Sequence, residues 1–71
     1  MTRKGWWLYL IVDNEAIPLL RLSQDQAVEM DDFFVDNGAE EHRLDGVNGP
    51  WPNDGGEGYL YKGVLLAFWL H

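Results

Sequence analysis

Seventy-one residues without a single cysteine make one small domain that neither disulfides nor thiolate metal sites can brace. An apolar fraction of 46% excludes a disordered chain, and a net charge of −7 argues against direct nucleic-acid contact and against an anionic membrane. The four Trp, three Tyr and three Phe bury roughly 150–250 Å² each, enough for a compact core.

The first apolar run, Trp6 to Val12 (WWLYLIV), is β-branched and aromatic and is expected to be a strand. Arg3 and Lys4 ahead of it imitate a secretion signal. The run is short, rich in Trp and lacks a small-residue cleavage site, so a buried strand and a cytoplasmic protein are expected. Neither this run nor Val64 to Leu70 exceeds seven residues, against about 20 needed to span a membrane as a helix. Asp13-Asn14-Glu15 is turn chemistry, and Ala16 to Leu22 (AIPLLRL) should return as the second arm of a hairpin. Pro18 has no N–H to donate, which places this second strand at an edge or gives it a bulge.

Ser23 with Gln26 three residues on is a capping box. The helix it opens should run to about Asn37, with Gly38 in the left-handed position that follows. Ala39 to Leu44 (AEEHRL) is a weak, polar strand at best. Asp45 to Gly58 (DGVNGPWPNDGGEG) holds five Gly, two Pro and two Asn and is a loop too long for a plain connector. Tyr59 to Leu70 (YLYKGVLLAFWL) reads as one last strand, bent at Gly63; its length also fits a helix. The expected fold is α+β: a mostly antiparallel sheet of three or four strands with one amphipathic helix on one face, in the order β-β-α-(β)-β.

Charge is unevenly placed. Residues 24 to 57 hold ten carboxylates against Arg43 alone, and the rest of the chain is net positive by two. On a helical wheel Ala27, Met30 and Phe34 face the sheet, flanked by Val28 and Val35 on one side and Phe33 on the other. Asp25, Glu29, Asp32 and Asp36 fall within about 60° of one another on the opposite side. Like charges at this spacing destabilise a helix by roughly 0.2–0.5 kcal/mol per pair. Asp36 also sits at the negative end of the helix dipole. Two readings fit the row: a solvated face that keeps the protein dissolved, and a surface that docks on a basic groove. Asp31 lands near the apolar face, where Arg21 or Arg43 is expected to pair with it. Asp31, Glu40, Glu41, Asp54 and Glu57 would broaden the acidic patch around the row.

A tiny, cysteine-free, acidic domain carrying the row Asp25, Glu29, Asp32, Asp36 resembles the phage-encoded anti-CRISPR proteins and, more broadly, DNA-mimic inhibitors. The likeness rests on size and charge over the whole chain and on no motif. It implies an inhibitor that blocks a nucleic-acid or PAM-reading surface on a Cas subunit in the host bacterial cytoplasm.

Other constellations carry less. Glu40-Glu41-His42-Arg43 lacks a nucleophile and an orienting partner, and strand alternation would put Glu41 and His42 on opposite faces. No catalytic residues are expected. Asp45, Asn48, Asn53, Asp54 and Glu57 offer oxygen ligands but do not fit the spacing of a calcium loop. The glycines after Gly55 are not followed by Gly-Lys-Ser/Thr, so they form no phosphate loop. No metal or cofactor is expected. Trp51, between Pro50 and Pro52, is either a lid folded back on the core or an exposed anchor for a partner.

Both faces of the first strand are apolar, and one helix covers only one face of a sheet. The other needs the long loop, a second copy of the chain or a target. The leading expectation is a non-enzymatic inhibitor that docks through its acidic helix on a partner's basic groove. The rival is a module that homodimerises through an aromatic sheet face, its acidity incidental.

Overall fold

The computed structural model describes residues 5–51 and 56–70. They form an α+β domain with strands β1 (Trp6–Val12), β2 (Glu15–Leu22), β3 (Glu40–Arg43), β4 (Glu57–Tyr61) and β5 (Val64–Leu70), and one helix, α1 (Gln24–Asp36). All five strands join one sheet in the order β2-β1-β5-β4-β3, and every neighbouring pair is antiparallel.

The sheet has one more strand than the largest number expected, because Tyr59 to Leu70 does not stay one strand. Lys62 (φ 51°) and Gly63 (φ 81°) both take left-handed backbone and fold it into a two-residue hairpin. Asp13 (φ 52°) and Asn14 (φ 63°) do the same between β1 and β2. Positive φ at both central residues matches the right-handed twist of the flanking strands. Asn and Asp tolerate that conformation well, whereas Lys62 is strained there unless the strands on either side impose it.

Pro18 has the place its missing N–H requires. β2 is an edge strand, and its register slips between Leu8 and Tyr9, leaving Leu19 as the extra residue of a bulge. The N–H of Ala16 points out of the sheet to Asn48 O at 2.9 Å. Two residues on, Pro18 turns the same edge outward, so the ladder with β1 loses nothing.

The helix begins as the capping box predicts. Ser23 Oγ accepts from the Gln26 N–H at 3.1 Å, and Gln26 Oε1 accepts from the Ser23 N–H at 2.9 Å. At the other end Gly38 (φ 76°) bonds Val35 O at 3.3 Å, and Ala39 bonds Phe34 O at 2.9 Å. These two bonds satisfy carbonyls that the helix would otherwise leave unpaired. Because α1 joins β2 to β3, the two outermost strands, it must cross the whole sheet. Four inter-strand steps span about 19 Å at about 4.8 Å each, and thirteen residues of helix span about 20 Å. β2 ends at Leu22, level with Trp6 and Leu70, whereas β3 begins at Glu40, level with Leu60, Leu65 and Ile11, so the helix also travels along the strands and runs as a diagonal over one face.

Between it and the sheet, Ala27 and Met30 of the helix pack with Leu8, Leu22, Trp6, Leu66 and Phe68. Phe34 stacks on Tyr59 with ring centroids 5.4 Å apart and meets Phe68 at 5.9 Å. The opposite face is covered by the long loop. Leu44 and Ala67 are fully buried there beneath Trp51, which meets Tyr9 edge-on at 5.6 Å and Trp69 at 6.1 Å. The Trp51 indole N–H donates to Val47 O at 3.2 Å, so the ring's polar atom is satisfied as it goes under. At 5% exposure Trp51 is a lid. The exposed-anchor expectation for it is thereby corrected, and the loop is the cover found on the second aromatic face. No helix among the described residues is long and apolar enough to cross a membrane.

Candidate acidic binding face

The helix presents Asp25, Glu29, Asp32 and Asp36 as the wheel places them: all four are exposed, on the side away from Ala27 and Phe34. The row is about 16 Å long at 1.5 Å per residue. Asp25 in the first turn gains from the helix dipole, while the last turn holds Asp36 and no base. No cation among the described residues answers the row. Arg43 pairs with Asp45 at 3.1 Å, Arg21 lies over the Trp7 ring at 5.7 Å, and Lys62 lies over Tyr61 at 5.4 Å.

Those engagements also correct the expected partner of Asp31. Arg21 points to the sheet face away from the helix, since Trp7 packs against the loop-side core, and Arg43 is taken by Asp45. The Asp31 carboxylate instead accepts a hydrogen bond from the Tyr59 hydroxyl. A phenol donates to a carboxylate in a charge-assisted hydrogen bond and brings no charge that must be buried. This bond, burial and the nearby charges of Asp31, Glu41 and Glu57 push the Tyr59 pKa up to about 12. Tyr9 on the other face is also raised, by burial.

The remaining acidic candidates divide by strand register. Glu41 pairs with Tyr59 and therefore stands on the helix face; Glu57, two residues before Tyr59, shares it. Asp31, Glu41 and Glu57 thus surround one phenol beside the row. Glu40 pairs with Leu60 and stands on the opposite face, so it does not extend the helix-side patch. Asp54 lies outside the described residues.

His42 pairs with Gly58 on the face away from Glu41, and its Nδ1 lies 3.3 Å from its neighbour's carbonyl, Arg43 O. The loop oxygens do not converge: Asp45 is held by Arg43, and the Asn48 amide donates to Glu15 at 3.0 Å. Asn53, like Asp54, lies outside the described residues. Among the described residues no group of three or more His, Asp or Glu is placed to hold a metal ion. What the arrangement offers is a line of unneutralised charge on a rigid rod. No family model matches the chain, and no curated protein or solved structure was found to match it.

Proposed function

We propose that the protein acts by binding, as an inhibitor whose acidic helix face occupies a basic nucleic-acid-binding surface of a partner protein. The observation that carries this reading is the row Asp25, Glu29, Asp32, Asp36, exposed along one helix side with no described cation beside it. Neighbouring carboxylates on a helix face stand about 5–6 Å apart, close to the spacing of phosphates along a strand, about 6–7 Å by geometry. A basic groove that tracks a nucleic-acid backbone meets a similar line of charge. The partner class to test first is a CRISPR–Cas effector complex, the target of the phage proteins the chain resembles.

The test is a pull-down of such a complex by the protein, with and without competing duplex DNA. DNA should displace the protein, and raising salt should weaken capture, because the screening length falls from about 10 Å at 0.1 M to about 3 Å at 1 M. Association should slow more than dissociation quickens. Replacing the four row residues with Asn or Gln should leave the fold intact and abolish capture. A folded quadruple variant that captures the complex as well as the parent does would overturn the proposal and leave the row as a solvated face.

A further inference from the structure

The diagonal course of α1 leaves part of the helix-side sheet face bare. At the end of the sheet away from the helix start, Leu10 pairs with Ile17 on one side and with Leu66 on the other. By strand alternation these share a face with Leu8, which the helix covers. Beside them Ile17, Leu20 and Val64 are exposed at 43%, 47% and 42%. The helix forms the wall. A groove of about 370 Å³ is lined by Leu22, Gln26, Glu29, Met30 and Phe33. Phe33 is 51% exposed, its ring edge-on to Tyr61 at 5.8 Å. The apolar floor therefore continues up the helix flank to Glu29, the second residue of the acidic row.

The charges around this floor choose its occupant. Glu29 stands at the wall, and Glu15, opposite Val12, stands on the same face at the open end. Of the described cations only Lys62, at the hairpin turn beside Tyr61, lies near it; Arg21 is on the opposite face, and Arg43 is at the other end of the sheet with Asp45. A second copy of the chain would set acidic rim against acidic rim at a net charge of −7 each. We propose that the groove between the Met30–Phe33 flank and the bare sheet face receives large apolar side chains from a basic amphipathic segment of the partner, whose Lys or Arg residues lie along the acidic row. This rests on the binding role proposed for the row and adds to it. The surface engaged is not a pure phosphate mimic, because the partner must carry an apolar ridge beside its basic groove.

The experiment uses two probes of equal charge: a short amphipathic peptide of leucine and lysine, and oligolysine. Binding to the full chain is read by fluorescence anisotropy, and the contact is mapped by methyl shifts in NMR. The leucine–lysine peptide should bind at least about tenfold more tightly than oligolysine, the return on partly burying two or three apolar side chains. It should move the methyls of Ile17, Leu20 and Val64, and leave those of Val28 and Val35, exposed on the other helix flank, in place. Ile17→Thr with Leu20→Gln should erase the tenfold preference while oligolysine binds as before. Val64→Thr alone should reduce it if the double variant does not fold, and Val35→Thr should have no effect. Equal affinity for the two probes, shifts centred on Val28 and Val35, or a concentration-dependent dimer that the double variant dissolves would overturn the proposal. Failure of the row itself reads differently: the quadruple row variant would then bind oligolysine as tightly as the parent does.

Discussion

On one side of the sheet Leu44 and Ala67 are sealed completely under Trp51; on the other, Leu20 and Ile17 lie nearly half exposed beside the helix. The better seal comes from the irregular element. A loop follows the twist of the sheet and drops one large ring where the gap is, its N–H held by Val47 O. A helix is straight and stiff, and this one must reach from one edge strand to the other, so it covers a diagonal and leaves the corners. Regularity of backbone and quality of cover are separate matters here. The bare corner also lies beside the acidic row, so the less well covered side is the one that carries the proposed docking surface.

The largest test of that contrast is Trp51→Ala. Loss of a buried tryptophan costs about 3–5 kcal/mol, nearly all that a core of this size supplies. Urea unfolding followed by circular dichroism should find the variant mostly unfolded in water. Leu20→Ala on the bare corner should cost less than about 1 kcal/mol. Equal costs for the two would break the comparison. Next is Gly58→Ala, on the loop side. A Cβ there would stand 2.6 Å from the Leu66 carbonyl oxygen and 3.3 Å from Leu44 Cδ2. A backbone atom cannot swing aside, so a loss of about 1–3 kcal/mol is expected, read as a lower melting temperature.

A smaller effect tests the helix side. Asp31→Asn weakens the bond from Tyr59 by about 1 kcal/mol at neutral pH. Its pH signature is more specific. The phenol's pKa is raised on folding, to about 12 from an ordinary 10. The associated stability is fully present below pH about 10 and is lost as pH climbs towards about 12. Phenolate absorbance should show Tyr59 ionising late in the parent and nearer its ordinary value in Asp31→Asn. An unchanged titration would mean the carboxylate is not the cause. The smallest change is in the row. Neutralising Asp25, Glu29, Asp32 and Asp36 relieves three neighbouring repulsions at roughly 0.2–0.5 kcal/mol each, so thermal unfolding should be unchanged or slightly later. A marked loss would mean these carboxylates hold the fold.

Local chemistry made much of this legible. Ser23, Gln26 and Gly38 mark the helix ends because capping depends on residues a few positions apart, and the exposed row follows from helical periodicity alone. Pro18 points to an edge strand or a bulge, and β2 has both. The hairpin at Lys62-Gly63 is not legible locally, because lysine is a poor signal for left-handed backbone and the glycine alone reads as a bend. The wheel places Asp31 at the boundary and offers Arg21 or Arg43 as its partner, but the group it meets, Tyr59, is 28 residues away. Nothing local distinguishes a phenol from an arginine at that distance. The bare corner was beyond reach for a related reason. It depends on which strands are outermost, and strand order is a property of long-range pairing that no window of the chain contains.

The pairing of β1 with β5 means that the middle of the sheet is assembled from residues 6–12 and 64–70. During synthesis β1 and β2 leave the ribosome before β5 does. Until β5 has cleared the exit tunnel, β1 offers a row of unpaired backbone groups flanked by Trp7, Tyr9 and Ile11, an edge open to pairing with other nascent chains. A chain stopped before Val64 would therefore be an aggregation hazard, not a smaller version of the fold.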